Sequence, residues 1–111
     1  MKKKMLILYS RTAPCPNCAL AKRVLEEQGV RYQEIMIDLD RAARARVERW
    51  TGFESVPTLV VARPGEVLPL TEPRPLDPGR SPRGVDRGSL ITEPDAVGLQ
   101  HWLRANGLIT A

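Results

Sequence analysis

The chain has 111 residues, of which 42% are hydrophobic and 5% aromatic, and its net charge is +4. This length and apolar content predict a single domain over residues 1–111 and exclude a largely disordered chain. The basic residues are scattered and aromatic residues are few, so we expect no nucleic-acid partner. No apolar run reaches the about 18 residues that a membrane span needs, and no signal-peptide pattern is complete. We therefore expect a cytoplasmic protein without a membrane partner.

Hydrophobic periodicity and turn residues predict seven elements in chain order. They are a strand over Lys4–Tyr9, a helix over Cys15–Gln28, a strand over Val30–Asp38, a helix over Leu39–Thr51, strands over Val56–Ala62 and Glu66–Leu70, and a helix between Thr92 and Gly107. The first strand, helix and strand should form a right-handed crossover with parallel strands. The fold class is therefore α/β, with a small mixed sheet and helices on both faces.

Capping residues predict where the last two helices begin. Asp38 and Asp40 can cap the second helix, and Leu39 begins the apolar stripe that its periodicity predicts. Thr92 is the predicted N-cap of the last helix, with Pro94 in the first turn.

A change of composition separates the last helix from the rest of the chain. Seven of the ten prolines lie between Pro64 and Pro94, together with several glycines. Proline removes a backbone donor, so this segment favours an extended loop over a helix or a central strand. We predict a loop insertion over residues 71–91, a length that is often functional or mobile.

The only two cysteines, Cys15 and Cys18, lie two residues apart at the predicted start of the first helix. A structural zinc site needs about four ligands, and His101 is the only histidine, so we expect no metal. A disulfide that closes so short a loop would restrict the unfolded chain little. Neither a metal site nor a structural disulfide therefore explains the pair well.

Thiol–disulfide chemistry explains every local feature of the pair. A cysteine at a helix N-terminus faces backbone N–H groups without partners and the positive end of the helix dipole, which favour the nucleophilic thiolate. Arg11 and Lys22 can add positive potential. The residue three positions later lies on the same face and can resolve a mixed disulfide. A C-x-x-C pair near a strand–helix–strand unit therefore predicts a catalytic dithiol of Cys15 and Cys18.

Two stretches, LYSRTAPCPNCALAKRVLEEQGVRYQEIMIDLD and TGFESVPTLVV, resemble the glutaredoxin family of the thioredoxin-fold superfamily. The resemblance implies a four-stranded sheet of order 2-1-3-4 with three helices, and a disulfide reductase in which Cys15 attacks and a buried Cys18 resolves. It further implies that Pro57 is a cis-proline facing the cysteines and that the Val56 backbone pairs with the substrate chain. The remaining residues expected to contact substrate flank the thiols, namely Arg11, Pro16 and Asn17.

The resemblance also implies the partners of the protein. We expect a monomer with no bound cofactor that acts on protein disulfides or on disulfides of the glutathione type. The family's Gly-Gly-x-Asp turn, which holds part of glutathione before the last helix, is absent, although Asp95 is present. The external reductant is therefore either glutathione or a thioredoxin reductase. Two alternatives remain: a dimer that holds an iron–sulfur cluster through Cys15 of each chain, and a thioredoxin-fold adaptor with incidental cysteines.

The loop insertion should lie beside the dithiol in a fold of this kind. Three of its residues could then form a basic rim that selects a partner or an acidic ligand, namely Arg80, Arg83 and Arg87. The alternative is a mobile surface excursion without a role.

Overall fold

The structure is a computed structural model that describes residues 4–110. Both ends of the predicted 1–111 domain therefore lie outside the described residues. The described chain forms four strands and three helices. They are β1 Met5–Ser10, α1 Pro16–Glu27, β2 Tyr32–Met36, α2 Arg41–Thr51, β3 Thr58–Ala62, β4 Leu90–Thr92 and α3 Ala96–Ala105. Over this part of the chain, no helix has the length and apolarity that a membrane span requires.

The four strands form one mixed sheet in the order β2-β1-β3-β4, which confirms the predicted order. β1 runs parallel to β2 and antiparallel to β3, and β3 runs antiparallel to β4. The central strands β1 and β3 are buried along almost their whole length. Because both faces of these strands are covered, their sequences are continuous apolar runs and do not alternate with polar residues.

Side chains of β1 enter two separate cores, because successive strand residues point to opposite faces of the sheet. Leu6 and Leu8 pack with α1 and α3 in a core that includes the fully buried Trp102. Ile7 and Tyr9 pack on the other face with α2 and the start of α1. The sheet is therefore covered by helices on both faces, as the fold class predicts.

The fourth strand is Leu90–Thr92, and the predicted strand over Glu66–Leu70 is wrong. The predicted turn at Pro64–Gly65 does form. It is closed by the N–H of Glu66, which donates to the Arg63 carbonyl at 2.9 Å. The segment after it contains Pro69, which has no N–H to contribute to a ladder. The three residues of β4 are all buried and pair with β3 in its place.

The loop over residues 63–89 folds back along the outer edge of β4. The N–H of Gly84 donates to the Thr92 carbonyl at 2.6 Å, and the N–H of Arg87 donates to the Leu90 carbonyl at 3.0 Å. An edge strand with open backbone groups is prone to pair with other chains, so this loop protects the sheet edge.

Arg87 anchors the loop from inside the protein, and only 8% of its surface is exposed. Its Nε donates to the Arg74 carbonyl at 2.7 Å, and its guanidinium also donates to the Trp50 carbonyl in the last turn of α2. Carbonyls in the last turn of a helix have no partner within the helix. Arg87 therefore satisfies a helix end and a loop carbonyl at once, which is a structural role.

Two predicted helix starts differ from the observed ones. Asp40 caps α2 by accepting a backbone N–H of the first turn at 3.0 Å, so Asp38 is not the cap. Leu39 lies before the helix and is 75% exposed, so its place in the apolar stripe was wrong. Asp95 caps α3 by accepting a backbone N–H at 2.7 Å, whereas Thr92 ends β4. In both helices the carboxylate nearest the first turn reaches the N–H groups that lack partners.

Replacing Arg87 by methionine should destabilise the fold while keeping an apolar stem of similar length. The substitution removes the donors of two carbonyls, and we expect the free energy of unfolding to fall by about 2–4 kcal/mol. Urea denaturation measures this loss. The control Arg80→Met, at an exposed position of the same loop, should stay within about 0.5 kcal/mol of the parent. Equal effects of the two substitutions would contradict the anchoring role.

Candidate active site

The candidate site lies at one end of the sheet, where β1 and β2 end and β3 begins. Tyr9 near the end of β1 lies opposite Thr58 at the start of β3, and Thr58 lies opposite Thr92 at the end of β4. The segment that leads to Cys15 leaves β1 at this edge, and Pro57 immediately precedes β3. The topology therefore brings the cysteine pair and the Val56–Pro57 segment to the same end of the sheet.

Cys15 is the N-cap of α1, which begins at Pro16. Its Sγ accepts a hydrogen bond from the N–H of Cys18 at 3.2 Å, so the sulfur lies against the first turn of the helix. The two cysteines form a disulfide, with their Cα atoms 5.2 Å apart. Cys18 is 3% exposed, whereas Cys15 is only partly buried. The helix start stabilises negative charge on the more accessible sulfur and leaves the second sulfur inside.

The peptide bond between Val56 and Pro57 is cis, as the resemblance predicts. Val56 packs in the same apolar cluster as Cys15 and Cys18. The Pro57 carbonyl accepts the N–H of Glu93 at 2.8 Å. Among residues 4–110, no hydrogen bond joins the backbone N–H or carbonyl of Val56 to another group. The backbone groups of Val56 therefore lack a partner within the described residues, and Val56 lies next to the cysteine pair.

The segment before Cys15 is fixed by Asp38, which follows β2. The N–H of Thr12 donates to its carboxylate oxygens at 3.0 and 3.2 Å, and the Thr12 hydroxyl donates at 2.5 Å. The hydroxyl hydrogen bond holds the pKa of Asp38 below its usual value. The guanidinium of Arg11 donates to the Pro14 carbonyl at 2.9 Å, directly before the first cysteine. No local pattern indicates the Thr12–Asp38 pair, because its members lie 26 residues apart.

Lys22, which was expected to add positive potential, is paired with a carboxylate. Its Nζ lies 2.6 Å from a carboxylate oxygen of Glu34, which also accepts the Ser10 hydroxyl at 2.6 Å. Burial of Glu34 would raise its pKa, but the hydrogen bonds from Lys22 and Ser10 together with the ammonium charge lower it. The charge of Lys22 is therefore largely compensated, and of the two predicted cations Arg11 is the one that contacts the residue next to Cys15, at the Pro14 carbonyl.

The turn between β4 and α3 contacts the cis-proline, because the N–H of Glu93 donates to the Pro57 carbonyl. Glu93 has a backbone φ of 47°, a left-handed conformation that glycine adopts more readily than glutamate. Its carboxylate lies 3.8 Å from Nε of Arg83, which belongs to the loop that covers β4. Here the chain places a charged residue where the glutaredoxin resemblance implies glycines.

Two of the residues expected to contact substrate lie between the cysteines. Pro16 is exposed at the first position of α1, and Asn17 is half-buried. Their contact with substrate stays a prediction. Among the described residues, no three His, Cys, Asp or Glu side chains form a group that could hold a metal ion.

Comparisons with known proteins agree with this geometry. A family model described as Glutaredoxin matches residues 6–64, which is more than half of the chain. A curated glutaredoxin from Pseudomonas aeruginosa is 39% identical over 54 residues, or 49% of this chain. The match covers 63% of that relative's length. In fold, the chain is similar to the crystal structure of a buckwheat glutaredoxin–glutathione complex, with a TM-score of 0.52 and 20% identity over 96% of this chain and 83% of the other.

Replacing Asp38 by asparagine should weaken the fold in a pH-dependent way. The pKa of Asp38 is lowered by folding, so its carboxylate stabilises the native state above its unfolded value of about 3.9. This contribution is lost as the pH falls through the lower folded value. Parent and variant should therefore differ in urea denaturation at neutral pH, begin to converge below about pH 4, and become equal once the pH is below the folded value.

The control for this experiment is Asp77→Asn, the same change of charge at an exposed loop position. It should leave the free energy of unfolding nearly unchanged across the same pH series. A difference between the parent and Asp38→Asn that stays constant from neutral to acidic pH would contradict a role of the ionised carboxylate.

Proposed function

The chain belongs to the glutaredoxin family, and on this premise we propose that it is a thiol–disulfide oxidoreductase that reduces disulfides through Cys15 and Cys18. The observation that carries the proposal is the position of Cys15 as the N-cap of α1. Its sulfur is the more accessible one of the pair and accepts the backbone N–H of Cys18 at the start of the helix, a position that stabilises a thiolate.

The proposed reaction proceeds through one mixed disulfide. The Cys15 thiolate attacks one sulfur of the substrate disulfide, so that a protein–substrate disulfide forms and the first substrate thiolate leaves. Cys18 then loses its proton and attacks the sulfur of Cys15, which releases the second substrate thiolate. The substrate gains two electrons, the leaving thiolates take up protons, and the pair becomes the disulfide seen in the structure. Two thiols of an external reductant restore the dithiol.

Val56 is the proposed docking residue for the substrate chain. Its backbone groups have no hydrogen-bond partner among residues 4–110, and it shares an apolar cluster with both cysteines. An extended segment that pairs with this backbone would hold its cysteine beside Cys15. Arg11, Pro16 and Asn17 flank this approach, and we propose them as further substrate contacts.

We propose glutathione as the first external reductant to test. The buckwheat structural neighbour is a complex with glutathione, and this supports a ligand of that type. A thioredoxin reductase is the second candidate, because Thr92 and Glu93 stand where the family's Gly-Gly-x-Asp turn, aligned on Asp95, has its two glycines. We further propose that the protein acts as a monomer in the cytoplasm, where reduced thiols are maintained.

Serine substitution of each cysteine separates their roles. The Cys15→Ser variant should lose disulfide reduction by at least about a hundredfold, because the attacking sulfur is gone. The Cys18→Ser variant should still attack and accumulate a mixed disulfide that mass spectrometry of the intact protein detects. Each protein is first reduced with dithiothreitol, freed of it, and mixed with bis(2-hydroxyethyl) disulfide. If the Cys15→Ser variant formed the adduct and the Cys18→Ser variant did not, the assigned roles would be wrong.

The external reductant is identified by offering each candidate to the oxidised protein. Recovery of two thiols per chain is followed with glutathione and glutathione reductase, and separately with a thioredoxin reductase and NADPH. We expect glutathione to restore the dithiol faster. Restoration by the thioredoxin reductase alone would contradict glutathione as the reductant and leave the dithiol chemistry intact.

A further inference from the structure

One arginine of the loop lies at the end of the sheet that carries the candidate active site. Arg87 is buried as a structural anchor, and Arg80 is exposed in a turn closed by its own N–H. The backbone of Arg83 instead forms an isolated β-bridge with Thr92 at the end of β4. The N–H of the next residue, Gly84, donates to the Thr92 carbonyl at 2.6 Å. Of these three arginines, Arg83 is therefore the one placed beside the site.

Contacts continue from Arg83 to the cis-proline. Nε of Arg83 lies 3.8 Å from the carboxylate of Glu93. The backbone N–H of Glu93 donates to the Pro57 carbonyl at 2.8 Å. Pro57 follows Val56, the proposed docking residue for substrate. A guanidinium and a carboxylate therefore lie side by side at the border of the substrate approach.

The ion pair between Arg83 and Glu93 is easily exchanged. The Arg83 side chain is 64% exposed and that of Glu93 is 26% exposed. At a separation of 3.8 Å and with this exposure to solvent, such a pair contributes little to stability. Glu93 is the one carboxylate within 4 Å of Arg83 among the described residues. A guanidinium has five N–H donors and binds a carboxylate best in a shorter, two-pronged geometry.

We propose that Arg83 is a specificity-determining residue that binds a carboxylate carried by the disulfide substrate close to the sulfur under attack. Glu93 occupies the same guanidinium when no substrate is bound and competes with the substrate carboxylate. The inference rests on the proposed function, because it describes selection at the site of that reaction. Arg83 does not increase the rate at which disulfides without a carboxylate are reduced. The carboxylate of Glu93 attracts cationic disulfides and so increases the rate of their reduction.

The test compares small disulfides that differ in charge. Protein reduced with dithiothreitol and freed of it is mixed with 3,3′-dithiodipropionate, bis(2-hydroxyethyl) disulfide or cystamine, which are anionic, neutral and cationic. The second-order rate constant of thiol loss is measured. A single turnover needs no external reductant, so the identity of the physiological donor does not affect the result.

Arg83→Gln should lower the rate constant for dithiodipropionate about threefold to fivefold and leave the neutral disulfide within about twofold. Glu93→Gln should raise the rate constant for dithiodipropionate and lower that for cystamine. Arg83→Lys should keep part of the preference, because the charge stays while the two-pronged geometry is lost. High salt should reduce the preference of the parent protein. The control is Arg80→Gln, which makes the same charge change in the same loop and should leave all three rate constants unchanged.

The outcomes separate the inference from the function beneath it. If the parent protein reduces all three disulfides and Arg83→Gln slows them equally, Arg83 acts on the structure and the inference is wrong. An equal preference loss in Arg80→Gln would show a general charge effect and overturn it as well. If the parent protein reduces none of the three, the proposed function fails and the inference fails with it. Glutathione disulfide is a fourth substrate. A lower rate constant with glutathione disulfide in Arg83→Gln supports the carboxylate site at Arg83 and shows that carboxylates farther from the sulfur also reach Arg83.

Discussion

The register between β1 and β3 is the constraint on which the site depends. With Tyr9 opposite Thr58, the segment that leaves β1 and the segment that enters β3 meet at one sheet edge. A shift by one residue would turn Ile7 and Tyr9 from the α2 core into the opposite core. Because both cores are filled by alternate side chains of β1, packing enforces the register. The same packing thereby keeps the helix start that carries Cys15 beside the Val-Pro segment.

The parts of the molecule that could be predicted from the sequence are those with local causes. Continuous apolar runs mark the buried strands β1 and β3, and the C-x-x-C pair at a helix start is readable within a few residues. The cis bond before Pro57 and the sheet order followed from a resemblance and are both present.

What could not be predicted depends on residues that are distant in the chain. Nothing near Asp38 distinguishes a helix cap from a carboxylate that holds Thr12, and only the fold decides between them. The segment 66–70 looks like a strand because it is apolar and follows a turn. β4 nevertheless lies some twenty residues later, and three residues are too few to stand out by pattern. Arg87 similarly looks like a surface charge until α2 and the loop enclose it.

The buried guanidinium of Arg87 also shows that the proline-rich loop is not a detachable module. It joins the loop to the last turn of α2, and the Ser89 carbonyl accepts the N–H of Val61 in β3 at 2.9 Å. Excising residues 72–89 would expose the edge of β4 and leave backbone groups of a helix and a central strand without partners. Any shorter connection at this point would have to satisfy those groups in another way. A chimera that exchanges this loop would therefore need compensating changes at the end of α2.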